Sequence, residues 1–229
     1  MPYFYCQEIN ESTSDVALLK EESLHISKTL RSKVGDTIHL IDGCGKKAEA
    51  TVTSIPKNKG LVYCQINTIS DVPEPERKIH LYIASPRHNI LTGLIKQCVE
   101  LGVWEIHFID CEFSVAKPKN KKDSLQKDII SGAKQSGNCY FPEIHPLKTF
   151  LKALEECQLP ILIGAVPEDN FEKFSSKENE ISLWIGPEGG FSAKEKQMLK
   201  ENNAQSMCIG EHILRVETAT VGLLAILNS

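Results

Sequence analysis

No apolar run in the sequence approaches the roughly 20 residues that a bilayer-spanning helix needs, which argues against a membrane-embedded protein. Cysteine is not scarce, but useful cysteine spacing is. The eight thiols stand at 6, 44, 64, 98, 111, 139, 157 and 208, with no CxxC and no Cys/His cluster at zinc-ligand spacing. They read as reduced, buried or incidental thiols, and no metal is expected. An excess of positive charge is also missing. Twenty-six Lys and Arg against 30 Asp and Glu give a formal net charge of -4, which speaks against a protein that coats nucleic acid non-specifically. The stretch Met1-Pro2-Tyr3-Phe4-Tyr5 has no basic region leading into an apolar one, so a cytoplasmic rather than a secreted location is expected. Internal repeats, low-complexity tracts, a GxGxxG turn and the Lys-Ser/Thr pair of a P-loop are all absent.

What remains is an ordinary globular composition, 41% hydrophobic and 24% charged, over 229 residues, enough for one large domain or two modest ones. The polar, proline-rich stretch Ser70–Arg77 reads as a linker. It divides the chain into residues 1–72 and 73–229. Upstream, β-like runs at 36–41, 47–55 and 61–69 surround one helical pattern at 21–33, in which Leu24, Ile26 and Leu30 are apolar. Asp42-Gly43-Cys44-Gly45 joins the first two runs as a hairpin turn, and the whole suggests a small β-barrel. Downstream, strand patterns at 78–84, 104–109, 160–165, 181–185 and 205–209 alternate with helical patterns at 89–101, 123–136, 147–157, 192–202 and 216–227. That alternation predicts an α/β domain with a mostly parallel sheet.

Two segments carry the chemistry. In Ile185-Gly186-Pro187-Glu188-Gly189-Gly190-Phe191-Ser192, three glycines and one carboxylate follow a buried strand. Backbone can approach a ligand closely at such a turn, with Gly189 as the position expected to need it. Glycine-rich strand-to-helix turns are also common as purely structural devices. Ser192 and Glu195 form a capping-box pattern for the following helix. In Cys208-Ile209-Gly210-Glu211-His212-Ile213-Leu214-Arg215-Val216-Glu217-Thr218-Ala219, a strand ends and an apolar helix begins. Glu217 suits a helix N-terminus, whereas the cation Arg215 opposes the helix dipole there and needs another reason. Lys117, Lys119, Lys121 and Lys122 form the one local concentration of positive charge, in a proline-interrupted stretch.

Taken together, IGPEGGFSxxE followed by IGxxILRVETA resembles the RsmE family, the 16S ribosomal RNA uridine N3-methyltransferases of the SPOUT class. The resemblance extends to His25–Arg31, Val34-Gly35-Asp36, Asp42-Gly43, Lys96–Val103, Gln135-Ser136-Gly137 and Pro142-Glu143-Ile144, in the expected order. Two features depart from it. Lys134 and Asn138 flank Gln135-Ser136-Gly137 where the family often has an acidic residue and an arginine, and no arginine stands near Pro2-Tyr3-Phe4-Tyr5.

The resemblance implies a C-terminal SPOUT domain with a trefoil-knotted, mostly parallel sheet and a small N-terminal PUA-like β-barrel that binds RNA. It implies S-adenosyl-L-methionine as cofactor, 16S ribosomal RNA or the small ribosomal subunit as partner, and a homodimer. Loops ending the strands at Gly164-Ala165, Ile185-Gly186-Pro187 and Ile209-Gly210 would hold the cofactor, with Gly189 and Gly190 in the second. Ile213 and Leu214 would wall the adenine, and Thr218 would cap the last helix or touch the methionine moiety. Arg215 is the candidate for stabilising charge on the uracil carbonyls, with Glu188 and Glu217 as candidate bases. Lys28, Arg31, Lys119, Lys121 and Lys122 are candidate phosphate contacts. Two other readings stay open: a related enzyme acting on another RNA, and a catalytically silent RNA-binding module.

Overall fold

The computed structural model describes residues 3–10, 12–30, 32–56, 60–115, 122–166, 169, 171–175 and 177–228, with only the backbone described at 28–30 and 122. The chain forms two compact units, Met1–Glu74 with Ile130–Phe141, and Pro75–Ile129 with Pro142–Ser229. The first break falls inside the proline-rich stretch. The inclusion of Ile130–Phe141 in the first unit has local causes. Gly137 sits against the Tyr3 ring, the Gly45 amide donates to the Cys139 carbonyl, and the Tyr140 hydroxyl donates to the Val72 carbonyl at 2.6 Å.

The first unit is a curled five-stranded sheet of β1 (Tyr3–Tyr5), β2 (Asp15–Ala17), β3 (Thr37–Ile41), β4 (Lys46–Ser54) and β5 (Tyr63–Asp71), in the order β1-β3-β4-β5-β2. Alternation selects its inner face: Ile38 and Leu40 of β3 and Ala48, Ala50 and Val52 of β4 are buried with Phe4, Val16 and Cys64. The expected hairpin turn joins β3 to β4. The Asp42 carboxylate accepts from the Cys44 and Lys46 amides, while Gly43 and Gly45 take the positive φ values such a turn needs. The helix expected at 21–33 is a short α1 (Lys20–Leu24) continued by a π-helical stretch to Leu30, with Ile26 fully buried.

Within this unit Lys134, one of the two departures from the family pattern, has a structural use. Its ammonium lies 2.7 Å from the carboxylate of Glu22, whose side chain is 5% exposed. A buried carboxylate is costly without such a partner.

The second unit carries seven strands in the order β10-β12-β9-β11-β6-β7-β8, every neighbouring pair parallel. They are β6 (Lys78–Ala84), β7 (Glu105–Asp110), β8 (Glu143–Thr149), β9 (Ile161–Gly164), β10 (Glu172–Lys173), β11 (Glu180–Ile185) and β12 (Gln205–Met207). The helices are α2 (His88–Glu100), α3 (Lys122–Ser136, which continues into the first unit), α4 (Phe150–Glu156), α5 (Ala193–Glu201) and α6 (Val216–Leu227). Strands buried on both faces read as continuous apolar runs, as β6 and β11 do.

One expectation needs correction. The pattern at 147–157 predicts a helix, yet residues 147–149 belong to β8, and α4 begins only at Phe150, where the Thr149 hydroxyl accepts from the Lys152 amide. Pro146 is tolerated in β8 because that strand is the sheet edge, where a missing donor breaks no ladder on the outer side.

Parallel register also stacks four rings in one row, Trp184, Tyr82, His107 and His145, on β11, β6, β7 and β8. Centroid separations are 4.4, 4.2 and 4.0 Å with nearly parallel planes. Burial in this stack, together with the neighbouring His145, pulls the His107 imidazole down to about 4. Cys6, Cys64, Cys98, Cys111 and Cys139 are buried, all eight are free, and burial pushes Cys98 up to about 12.

Candidate functional site

Three loops leave the carboxyl ends of β9, β11 and β12, the end at which open parallel sheets hold ligands. Among the described residues they meet around a cleft of about 440 Å³. The loop after β9 is held at both ends. The Ala165 amide donates to the Met207 carbonyl at 3.1 Å, tying it to the end of β12. Asp169 accepts from the Val166 amide at 3.2 Å and from the Lys196 ammonium at 2.5 Å, tying it to the first turn of α5. Gly164 has no room for a side chain, because a Cβ there would come within 2.8 Å of both Ile185 and Leu223. Helix α6 therefore lies directly over the end of β9.

The loop after β11 is a tight turn in which the Gly190 amide donates to the Pro187 carbonyl at 2.8 Å. Gly190, at φ +73°, takes the left-handed conformation; Gly189, where unusual φ was expected, does not. A Cβ on Gly189 would instead press on Phe113 at 3.2 Å. The capping box is present, with the Ser192 hydroxyl accepting from the Glu195 amide and the Glu195 carboxylate accepting from the Ser192 amide. The other oxygen of Glu195 accepts from the Glu112 amide at 2.9 Å, so one buried carboxylate fixes both the start of α5 and the loop after β7.

The loop after β12 brings Ile209, His212, Ile213, Leu214 and Arg215 to the cleft. Ile213 is 74% exposed at the rim. Arg215 is the N-cap residue of α6 but makes no side-chain cap hydrogen bond. Neither Arg215 nor Glu188 has a hydrogen-bonding or ionic partner among the described residues, and both are exposed.

Of the residues expected at the site, Gly164, Ala165, Ile185, Gly186, Pro187, Glu188, Gly189, Gly190, Ile209, Ile213, Leu214 and Arg215 line the cleft. Gly210, Glu217 and Thr218 are not among its lining residues. Thr218 is exposed in the first turn of α6 and does not cap it. Thr220 is the threonine with a local role, its hydroxyl donating to the Val216 carbonyl at 2.7 Å. The sequence reading missed Asp169, Lys196, Met207, His212, Ala219 and Leu223 as cleft residues. The three apolar ones carried a helical or strand period but no mark of the site. Asp169 and Lys196 carried no signal, since 27 residues separate them. Arg31, Lys119 and Lys121 lie outside the described residues, as do the side chains of Lys28 and Lys122.

Residues 73–228 match the model of the family described as RNA methyltransferase domain. The chain is 27% identical over 246 residues to ribosomal RNA small subunit methyltransferase E of Bacillus subtilis, covering 97% of this chain and 92% of that one. It is 26% identical over 223 residues to ribosomal RNA small subunit methyltransferase E 1 of Borreliella burgdorferi, covering 93% and 91%. In structure it is similar to a ribosomal RNA small subunit methyltransferase E from Neisseria gonorrhoeae bound to S-adenosyl methionine. The TM-score is 0.88 with 25% identity, over 99% of this chain and 96% of that one.

Proposed function

The chain belongs to the RNA methyltransferase domain family, and from that footing we propose that it is an RsmE-type enzyme that uses S-adenosylmethionine to methylate N3 of a uridine in 16S ribosomal RNA. The observation that carries this reading is the cleft, where the glycine-bearing ends of β9 and β11, the loop after β12 and the start of α6 converge on one apolar-walled space, edged by an arginine with no partner among the described residues.

The residues fit the cofactor. A volume of about 440 Å³ falls within the range of about 300–1,000 Å³ usual for small-molecule sites. Ile185, Ile209, Leu214, Ala219 and Leu223 offer apolar walls for a purine, and backbone at 164–165, 186–190 and 209 offers donors and acceptors without charge. When bound, S-adenosylmethionine supplies an electrophilic methyl group.

The rest is the work of this chain's side chains. Uridine N3 carries a proton that is engaged in pairing, so the base has to be presented unpaired. Loss of that proton puts negative charge on the flanking carbonyl oxygens, where Arg215, which has no partner among the described residues, donates hydrogen bonds. Glu188 faces the cleft and is the better-placed base. Glu217 sits in the first turn of α6, where the helix dipole gives a carboxylate a structural use, and it does not line the cleft. Lys28, Arg31, Lys119, Lys121 and Lys122 are assigned to phosphate contacts, which position RNA without reading it.

A homodimer and a trefoil knot belong to the same proposal. The first rests on the resemblance to the RsmE family. The chain order supports the second, because β12 enters between β9 and β10 only after β11 has been laid on the other side of β9. Mass-spectrometric mapping of ribosomal RNA from cells with and without the protein tests the activity. Loss of one 3-methyluridine in 16S ribosomal RNA is expected, and an unchanged modification map overturns the assignment. Calorimetry with S-adenosylmethionine separates an enzyme from a silent module.

A further inference from the structure

We propose that His80, Glu105 and His107 form a zinc-binding site at the amino-terminal side of β6 and β7, the opposite end of these strands from the loops of the methyl-transfer cleft. Parallel register builds it. His80 lies opposite Glu105, and His107 lies opposite His145, while each pair of positions two residues apart shares a sheet face. All four side chains therefore converge on one face. Three imidazole nitrogens surround a single oxygen, Oε2 of Glu105: His80 Nδ1 at 3.2 Å, His107 Nε2 at 2.9 Å and His145 Nε2 at 2.9 Å.

That crowding exceeds what hydrogen bonding can use. A carboxylate oxygen has two lone pairs, and three facing ring nitrogens cannot all donate to it. An ion that takes His80 Nδ1, His107 Nε2 and a Glu105 oxygen as ligands relieves that competition.

The spacing suits zinc. Bonds of about 2.0–2.2 Å to a tetrahedral ion hold neighbouring ligand atoms about 3.3 Å apart, close to the separations of 2.9–3.2 Å here. The ligand atoms of His80, Glu105 and His107 all lie within 4.8 Å of one another, while His145, its ring parallel to that of His107 at 4.0 Å, stays outside the set and holds Glu105 Oε2 through Nε2 at 2.9 Å. Imidazole with carboxylate suits zinc better than calcium or magnesium, which take oxygen ligands. Glu180 Oε2, 3.8 Å from His80 Nε2, adds negative charge behind that imidazole. Glu105 and His145 side chains keep about a quarter of their surface exposed (24% and 23%), which leaves the ion a way in.

Two imidazoles and one carboxylate leave the fourth position of a tetrahedral ion to water, and the ion would tie β6 to β7.

The test is made on the full chain after dialysis against a chelator. Titration with Zn2+ alone is expected to show one tight equivalent per chain, with a melting temperature that rises with zinc. His107→Asn and Glu105→Gln should each lose at least about tenfold in zinc affinity while S-adenosylmethionine affinity stays unchanged. Co2+ should give the visible bands of a tetrahedral nitrogen and oxygen site without thiolate charge transfer, a readout on the unmutated protein that stands even if a variant fails to fold. No stoichiometric zinc, a thiolate spectrum that places the ion on Cys44 or Cys208, or folded variants with undiminished affinity would each overturn the proposal.

Discussion

Replacing Asp169 by Asn removes one charge from the cleft and keeps the side chain's shape. The amide oxygen can still accept from Val166, so the turn at the end of β9 persists, and what disappears is the ion pair with Lys196 at 2.5 Å. Two unit charges at that distance attract by about 6–7 kcal/mol gross at an effective dielectric of about 20. Most of that is returned as desolvation and side-chain ordering, and Lys196 keeps a third of its surface in water (33%, against 12% for Asp169). A net contribution of about 1–2 kcal/mol remains, in line with hydrogen bonds to charged groups. Where the loop has to be re-ordered before the cofactor binds, that energy appears in affinity. S-adenosylmethionine should then bind about 5- to 30-fold more weakly by calorimetry. Lys196→Met should have the same effect, and the double variant no more than either single one, since one interaction can be removed only once. A folded Asp169→Asn protein with affinity within about twofold of the parent would refute the pinning role. A much larger effect from Lys196→Met than from Asp169→Asn would refute it differently, by showing that Lys196 touches the cofactor itself.

Arg215→Ala should lower turnover by about 100-fold or more with cofactor affinity unchanged, because its proposed partner is charge that develops in the transition state; single-turnover kinetics beside calorimetry checks this. Gly190→Val should weaken cofactor binding through backbone strain of about 1–2 kcal/mol rather than a clash, as nothing lies within 4 Å of its would-be Cβ. Gly190→Asn, which tolerates the left-handed conformation, should retain most of the affinity in the same titration. Lys134→Met should destabilise the first unit by about 3 kcal/mol by stranding Glu22, and Glu22→Gln in that background should restore most of it in thermal melts. Replacing Lys119, Lys121 and Lys122 by Ala should reduce the salt slope of RNA binding by about 0.7–0.9 for each lysine that meets a phosphate.

The fold was legible wherever burial imposes a period. The two-faced strands β6 and β11, the alternating β4 and the hairpin glycines at 43 and 45 each leave a local mark that survives without the rest of the chain. The three-residue strands β1 and β2 and the two-residue β10 leave none, since one buried residue sets no period. Strand β8 was hidden for another reason. As an edge it is nowhere fully buried along Glu143–Thr149, so its polar residues and Pro146 resemble a loop leading into a helix.

The cleft divides along the same line. Its loops were legible because close backbone approach demands glycine, and a glycine-rich strand end is a local pattern. The links between loops were not. Asp169 meets Lys196, and Glu195 meets the Glu112 amide 83 residues away, through contacts that only the closed sheet creates. The histidines make the case most sharply. Residues 80, 105, 107 and 145 have no metal-ligand spacing, and they meet because three parallel strands start level with one another. Searching a sequence for ligands at short, regular separations finds sites built on hairpins and helices, where neighbours in space are neighbours in the chain. In a parallel sheet each crossing to the next strand consumes tens of residues, so side chains in hydrogen-bond contact stand far apart in the sequence. Sites that lie across such a sheet, at either end of its strands, have to be read from register.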